Sequence, residues 1–119
     1  MKLFESGEDY LERILILNES KGHVRSIDIA TDMGFSKPSV SIAMKKLKEN
    51  GYILIDSDGF IALTEEGLKV ARRIYERHLV LTKLFISLGV SEDIAKKDAC
   101  KIEHDLSDET FEAIKKSIK

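Results

Sequence analysis

The stretch SIDIATDMGFSKPSVSIAMKKLKENGYILIDSDGFIALT, residues 26–64, constrains the fold more than any other part of the chain. Ser26 is placed to cap a short helix that passes through Ile29 and Ala30. Gly34 stands where a sharp turn favours a residue without a Cβ. Ser36 is placed to cap a second helix, with Pro38 in its first turn, where a missing N–H does little harm. In that helix Val40, Met44 and Leu47 recur at i, i+4 and i+7 and are predicted to point inward, and Asn50-Gly51 ends it. Ala30 and Gly34 have the spacing that lets two helices cross closely, so the pattern is a helix-turn-helix. YILIDSDGFIALT then reads as two short strands around the Asp58-Gly59 turn signal. A hairpin directly after a helix-turn-helix predicts a winged helix.

The flanking segments are helical. SGEDYLERILIL carries Leu11, Ile14 and Leu15 on one stripe, with Ser6 as expected N-cap, Asp9 three residues on, and a break at NESKGHV. From Thr64 a helix of about 24 residues, roughly 36 Å long, is predicted to end near Gly89. Its second half holds Leu79, Val80, Leu81, Leu84, Phe85, Ile86 and Leu88. That stripe is wider than one small domain needs, which suggests a dimer. SEDIAKKDACKIEHDL, capped by Ser91, and SDETFEAIKKSIK, capped by Ser107 or Asp108, complete the chain. The expected class is mainly α with a small β-hairpin. It divides into a winged helix-turn-helix domain over residues 1–64 and a helical dimerisation domain over 65–119.

Bulk properties exclude several classes. No apolar run approaches the ~18 residues of a spanning helix, and the start has acidic residues where a signal peptide is apolar. One cysteine cannot form an internal disulfide, which fits a reducing compartment. A cytoplasmic protein with no membrane partner is expected. No nucleophile–base–orienter set or phosphate loop stands out, so neither an enzyme nor a small organic substrate is expected. The net charge of −2 rules out a globally basic nucleic-acid binder, but charge is unevenly placed. Residues 36–50 hold Lys37, Lys45, Lys46 and Lys48 against Glu49 alone, while Glu5, Glu8, Asp9 and Glu12 gather near the start.

Ser36, Lys37, Ser39 and Ser41 fall at the N-terminal end of the second helix, the part that meets base edges when such a helix enters a major groove. Hydroxyls and helix N–H groups there suit phosphates. Ile42 projects away from the Val40/Met44/Leu47 face and is suited to a thymine methyl. Lys45 and Lys46 are placed to neutralise phosphates. With Arg25 and Pro38 these make up the expected DNA-contacting set. The plainer alternative is a solvated lysine-rich face with one stray isoleucine.

A second constellation lies in DACKIEHDLS. On a helix Cys100, Glu103 and His104 stand at i, i+3 and i+4 and share a face, a thiol, a carboxylate and an imidazole together. The plainer alternative is a buried cysteine beside two surface residues. His78, on the preceding long helix, is by itself more often a partly buried structural histidine. Asp9 and Glu12, at i and i+3 on the first helix, also share a face, though capping and ordinary exposure account for them equally well.

EDYLERIL, SIDIATDMGFSKPSVSIAMKKLKENGYI, LTEEGLKVARRIYERH and KKDACKIEHDLSDE occur in this order over nearly the whole chain. Together they resemble the metal-dependent repressors of the diphtheria toxin repressor and manganese transport regulator family. The resemblance implies a transition metal between the first helix and the dimerisation helices. It implies that Asp9 and Glu12 occupy ligand positions of the manganese branch, and that His78, Glu103 and His104 occupy ligand positions of both branches. Cys100 falls where the iron branch has a cysteine and the manganese branch a glutamate. Thr82 and Lys96 stand where the iron branch has an ancillary-site glutamate and histidine, so that site is expected to be absent or altered. With 119 residues, the chain is expected to lack the iron branch's SH3-like domain. Carboxylates favour Mn(II), while a thiolate favours softer ions. Fe(II) is expected first and Mn(II) second, with Zn(II) or Co(II) binding in vitro. The expected partners are a second copy of the chain and a palindromic double-stranded operator. A competing expectation is a winged-helix regulator that senses a small molecule or oxidation of Cys100 without metal.

Overall fold

Six helices and one hairpin follow each other in the computed structural model, which describes residues 5–118. They are α1 (Glu5–Lys21), α2 (Ser26–Met33), α3 (Lys37–Glu49), β1 (Ile53–Ile55), β2 (Ile61–Leu63), α4 (Glu65–Ser87), α5 (Glu92–Ile102) and α6 (Asp108–Ser117). The side chain of Glu5, part of the expected acidic cluster, lies outside the described residues. The chain divides into two compact units, one up to Arg72 and one from Arg73 onward; α4 begins in the first and ends in the second.

The first unit is a winged helix, as the residue pattern predicts. Leu11, Ile14, Leu17, Val24, Ile29, Val40, Met44, Leu47, Ile53 and Ile61 are buried in its core. Ser36 caps α3, its hydroxyl accepting from the Ser39 N–H at 3.3 Å. Gly34 takes a φ of 72°, the left-handed conformation that closes α2 and that β-carbon-bearing residues avoid. The two strands pair antiparallel, with Ile53 opposite Leu63 and Ile55 opposite Ile61. The side chain of Asp56 shapes the turn between them by accepting from the N–H groups of Asp58 and Phe60, each at 2.9 Å. Thr64 links the hairpin to α4. Its hydroxyl donates to the Gly51 carbonyl at 2.7 Å and accepts from the Gly67 N–H at 3.1 Å. One turn into α4, Gly67 lets the helix pass the backbone at Tyr52, whose carbonyl oxygen a Cβ would overlap.

Several helix ends differ from the sequence reading. α1 already includes Ser6, so Ser6 is not its N-cap, and it runs through Asn18–Lys21 before Gly22 stops it at a φ of 84°. The favourable burial of Leu17 carries the helix past residues that read as breakers. Arg25, not Ser26, is the N-cap of α2, and Asp28 closes that end by accepting from the Arg25 N–H at 2.9 Å. α5 stops at Ile102, so Glu103 is its C-cap and His104 lies in the turn that follows.

The second unit is helical. Ile74, Arg77, Leu81, Ala95, Ala99, Glu103 and Phe111 are buried within it. Ser107 caps α6, accepting from the Thr110 N–H at 3.1 Å. Leu79, Ile86 and Leu88, from the apolar stripe read after Thr64, remain exposed, as does Ile94 on α5.

Candidate metal centre and DNA-facing surface

Glu103 is the centre of the second unit's polar cluster. Its side chain is fully buried, at 0% exposure, yet it carries a carboxylate. Oε2 lies 3.0 Å from Nδ1 of His78, which α4 supplies. Oε1 lies 3.6 Å from Nε2 of His104 and has no hydrogen-bond partner among the described residues. His104 is itself almost fully covered and His78 largely so. Burying a carboxylate with one oxygen unsatisfied is costly unless a cation or a further donor completes its surroundings. Two imidazoles and a carboxylate oxygen are a donor set that a divalent transition metal accepts. The residues of the second unit therefore fit such an ion.

The burial pattern reverses the plainer alternative for DACKIEHDLS. Cys100 is the exposed member, on α5 three residues before Glu103, and Glu103 and His104 are the covered ones. A buried core thiol at Cys100 is thus corrected. Helical continuation to His104 is corrected too, although Glu103 keeps helical dihedrals (φ −60°, ψ −24°), which preserves its spacing from Cys100. In the first unit Asp9 and Glu12 both lie on α1, Asp9 half-buried and Glu12 buried. Exposure therefore does not account for Glu12.

Arg77 is a residue that motif reading passed over. Its guanidinium is buried and donates to the carbonyls of Glu103 (3.1 Å) and Leu106 (2.6 Å) and to Oδ1 of Asp108 (2.6 Å). The available signal was periodicity: Ile74, Arg77 and Leu81, at i, i+3 and i+7, share the inward face of α4. Asp108 also meets Arg73 at 3.2 Å, and these cations, Arg73 first and then Arg77, hold its carboxyl below the usual carboxylate range.

On the first unit Arg25, Ser36, Lys37, Pro38, Ser39, Ser41, Ile42, Lys45 and Lys46 are all exposed. All but Arg25 and Ser36 lie on α3, with Ser36 at its cap. Ile42 is 59% exposed on the side away from buried Val40, Met44 and Leu47. The Ser36 hydroxyl also donates to Ser39 Oγ at 2.8 Å, so these two hydroxyls are engaged with each other at the cap. Arg25 is held by a residue the sequence reading did not single out: its guanidinium lies 4.5 Å from the ring centre of Phe60, at the hairpin turn. His23 stacks on the same ring at 4.6 Å.

Among the described residues no helix is long and apolar enough to cross a membrane. Residues 2–59 match a family described as iron dependent repressor, N-terminal DNA binding domain. Residues 64–119 match iron dependent repressor, metal binding and dimerisation domain. The chain is 37% identical over 108 residues to the transcriptional regulator MntR of Escherichia coli, an overlap of 91% of this chain and 70% of that protein. It is also 37% identical to an uncharacterized HTH-type transcriptional regulator of Methanocaldococcus jannaschii, over 93% of this chain and 90% of that one. The structure of the manganese regulator SloR superposes with a TM-score of 0.81 at 31% identity. That superposition takes in 99% of this chain but only 54% of the SloR chain, so this chain spans about half of SloR's length. With its two halves matched in order, the chain belongs to the diphtheria toxin repressor and manganese transport regulator family of metal-responsive, DNA-binding transcriptional repressors.

Proposed function

We propose that this chain is a cytoplasmic regulator, not a catalyst, that binds a palindromic duplex operator as a homodimer when Mn(II) or Fe(II) is present, and represses genes of metal uptake. Residues 1–64 are assigned to DNA and residues 65–119 to metal and dimerisation. The observation that carries the metal reading is buried Glu103, set between His78 and His104 with Oε1 unsatisfied. We assign His78, Glu103 and His104 as ligands, joined by Asp9, Glu12 and Cys100. Support for these last three is the donor chemistry of two carboxylates on one helix and an exposed thiol one turn before Glu103. A divalent cation supplies the positive charge that offsets the carboxylates assigned to it.

The chain's own residues supply the rest of the switch. A metal that binds the DNA-competent state more tightly shifts the population toward it, so apo protein is expected to favour another state. Arg25, Ser36, Lys37, Pro38, Ser39, Ser41, Ile42, Lys45 and Lys46 form the DNA face, with the lysines and Arg25 meeting phosphates and Ile42 meeting base methyls. Exposed Leu79, Ile86, Leu88 and Ile94 supply apolar surface for the second copy.

The ion follows from the donors. Cys100 draws the preference toward Fe(II), while the five oxygen and nitrogen donors of the remaining set suit Mn(II) equally. SloR is named a manganese regulator, which puts Mn(II) on at least an equal footing with Fe(II). Replacement of Glu12 by alanine tests the ligand assignment: operator binding is expected to lose its metal dependence. Full metal-dependent binding by Glu12→Ala contradicts it.

A further inference from the structure

Arg77 stands apart from both the ligand set and the DNA face. It is the largest fully buried side chain among the described residues, at 1% exposure, and it is a cation. One guanidinium nitrogen, Nη1, donates to the carbonyls of Glu103 and Leu106; the other, Nη2, donates to Asp108. The face of Phe111 lies 5.2 Å from its central carbon. These acceptors span the connection between α5 and α6, which has no regular structure of its own. Glu103 is held at this connection by few other backbone contacts: its N–H donates to the Ala99 carbonyl at 3.0 Å.

The neighbour of Arg77 on α4 is His78. Two consecutive residues of one helix thus approach Glu103, His78 at the carboxylate and Arg77 at the carbonyl. We propose that Arg77 is a positioning residue for the metal centre, fixing the Glu103 and His104 backbone against α4; this rests on the metal reading above. A planar fork with fixed donor directions is suited to gripping three acceptors at once, and the single ammonium of lysine is not. A metal site loosened by even a fraction of an ångström loses affinity, which is why groups behind the ligands matter nearly as much as the ligands.

Arg77→Lys in the full chain is the test, read by calorimetric titration with Mn(II), by the visible absorption of Co(II), and by thermal melting of the apo protein. Affinity for both ions is expected to fall by roughly 10–100-fold, with an altered Co(II) spectrum, while the apo protein still melts cooperatively. A purely structural role would lower the melting temperature and leave the affinity of the folded protein unchanged. Affinity within twofold of wild type, in a folded variant, overturns the proposal. If Arg77→Lys does not fold, Asp108→Asn decides, because that carboxylate is 79% exposed and tolerates replacement. A threefold or greater loss of affinity in Asp108→Asn supports the positioning role, and wild-type affinity overturns it. Wild-type protein that takes up neither ion would instead sink the metal reading, and the positioning role with it.

Discussion

A carboxylate shut away from solvent between two imidazoles is the residue on which the site turns. Glu103 has no exposed atoms to hydrate its charge, and one oxygen lacks any hydrogen bond among the described residues. Glu103→Gln keeps the shape and removes the charge. Its metal affinity, measured by calorimetry, is expected to fall by more than the roughly 10–100-fold that a loss behind the ligands costs. An unchanged affinity would reduce Glu103 to a buried partner of His78. The spacing of Cys100, Glu103 and His104 was legible in the sequence, because three residues at i, i+3 and i+4 share a face in any helix. Which of them is covered was not legible. Burial at a helix end depends on what packs over it, and here Cys100 is exposed and Glu103 buried. Arg77 was hidden for a related reason: arginine at an inward helix position reads as surface by type and as core only by period.

At the scale of single elements, the ends of helices carry the corrections and the middles do not. Val40, Met44 and Leu47 are inward and Ile42 is outward on α3, as a period of 3.6 requires. Ser6 and Ser26, both good caps by type, lie inside helices instead, and Asp28 rather than a serine satisfies the start of α2. The start of α4 makes one demand that type alone does not reveal. Gly67→Ala places a methyl into the Tyr52 carbonyl, and a loss of about 1–3 kcal/mol is expected from such overpacking, read as a lower urea midpoint with an unchanged slope. A wild-type midpoint would mean that the hairpin yields freely. The start of α6 makes a pH-dependent one. Asp108 has its carboxyl held below the ordinary range by Arg73 and then Arg77. Its folded pKa is depressed, so its contribution is fully present above about pH 4, the ordinary Asp value, and is lost as pH falls below that. Asp108→Asn is therefore expected to flatten the acid side of the melting-temperature profile and to leave its alkaline side parallel to wild type. Identical acid limbs would contradict the assignment.

Over the whole molecule, an acidic chain presents a locally basic surface on α3. The net charge of −2 coexists with four lysines against one glutamate over residues 36–50, and exposed Lys37, Lys45 and Lys46 lie on one helix. Duplex binding is thus expected to weaken steeply with salt despite the negative total. Lys46→Ala should reduce the slope of log K against log salt by about one and weaken all sequences alike; an unchanged slope would remove Lys46 from the phosphate contacts. The order of elements was legible from residue 26 to the end of α4, because cap residues, Gly34, the Asp56–Gly59 turn and apolar period all point to the same architecture. The proposed metal site was readable only as separate weak signals, since Asp9 and Glu12, His78, and the Cys100–His104 group lie far apart in sequence. The measurement that tests metal-dependent DNA binding most directly is fluorescence anisotropy on duplexes from genomic DNA near the protein's own gene. Apo protein would be titrated anaerobically with Mn(II), Fe(II), Co(II) and Zn(II). Tight, sequence-selective binding only when metal is present, lost in Glu103→Gln, is the expected result. Equal binding with and without metal would contradict the switch, leaving a winged helix that reads DNA without sensing an ion.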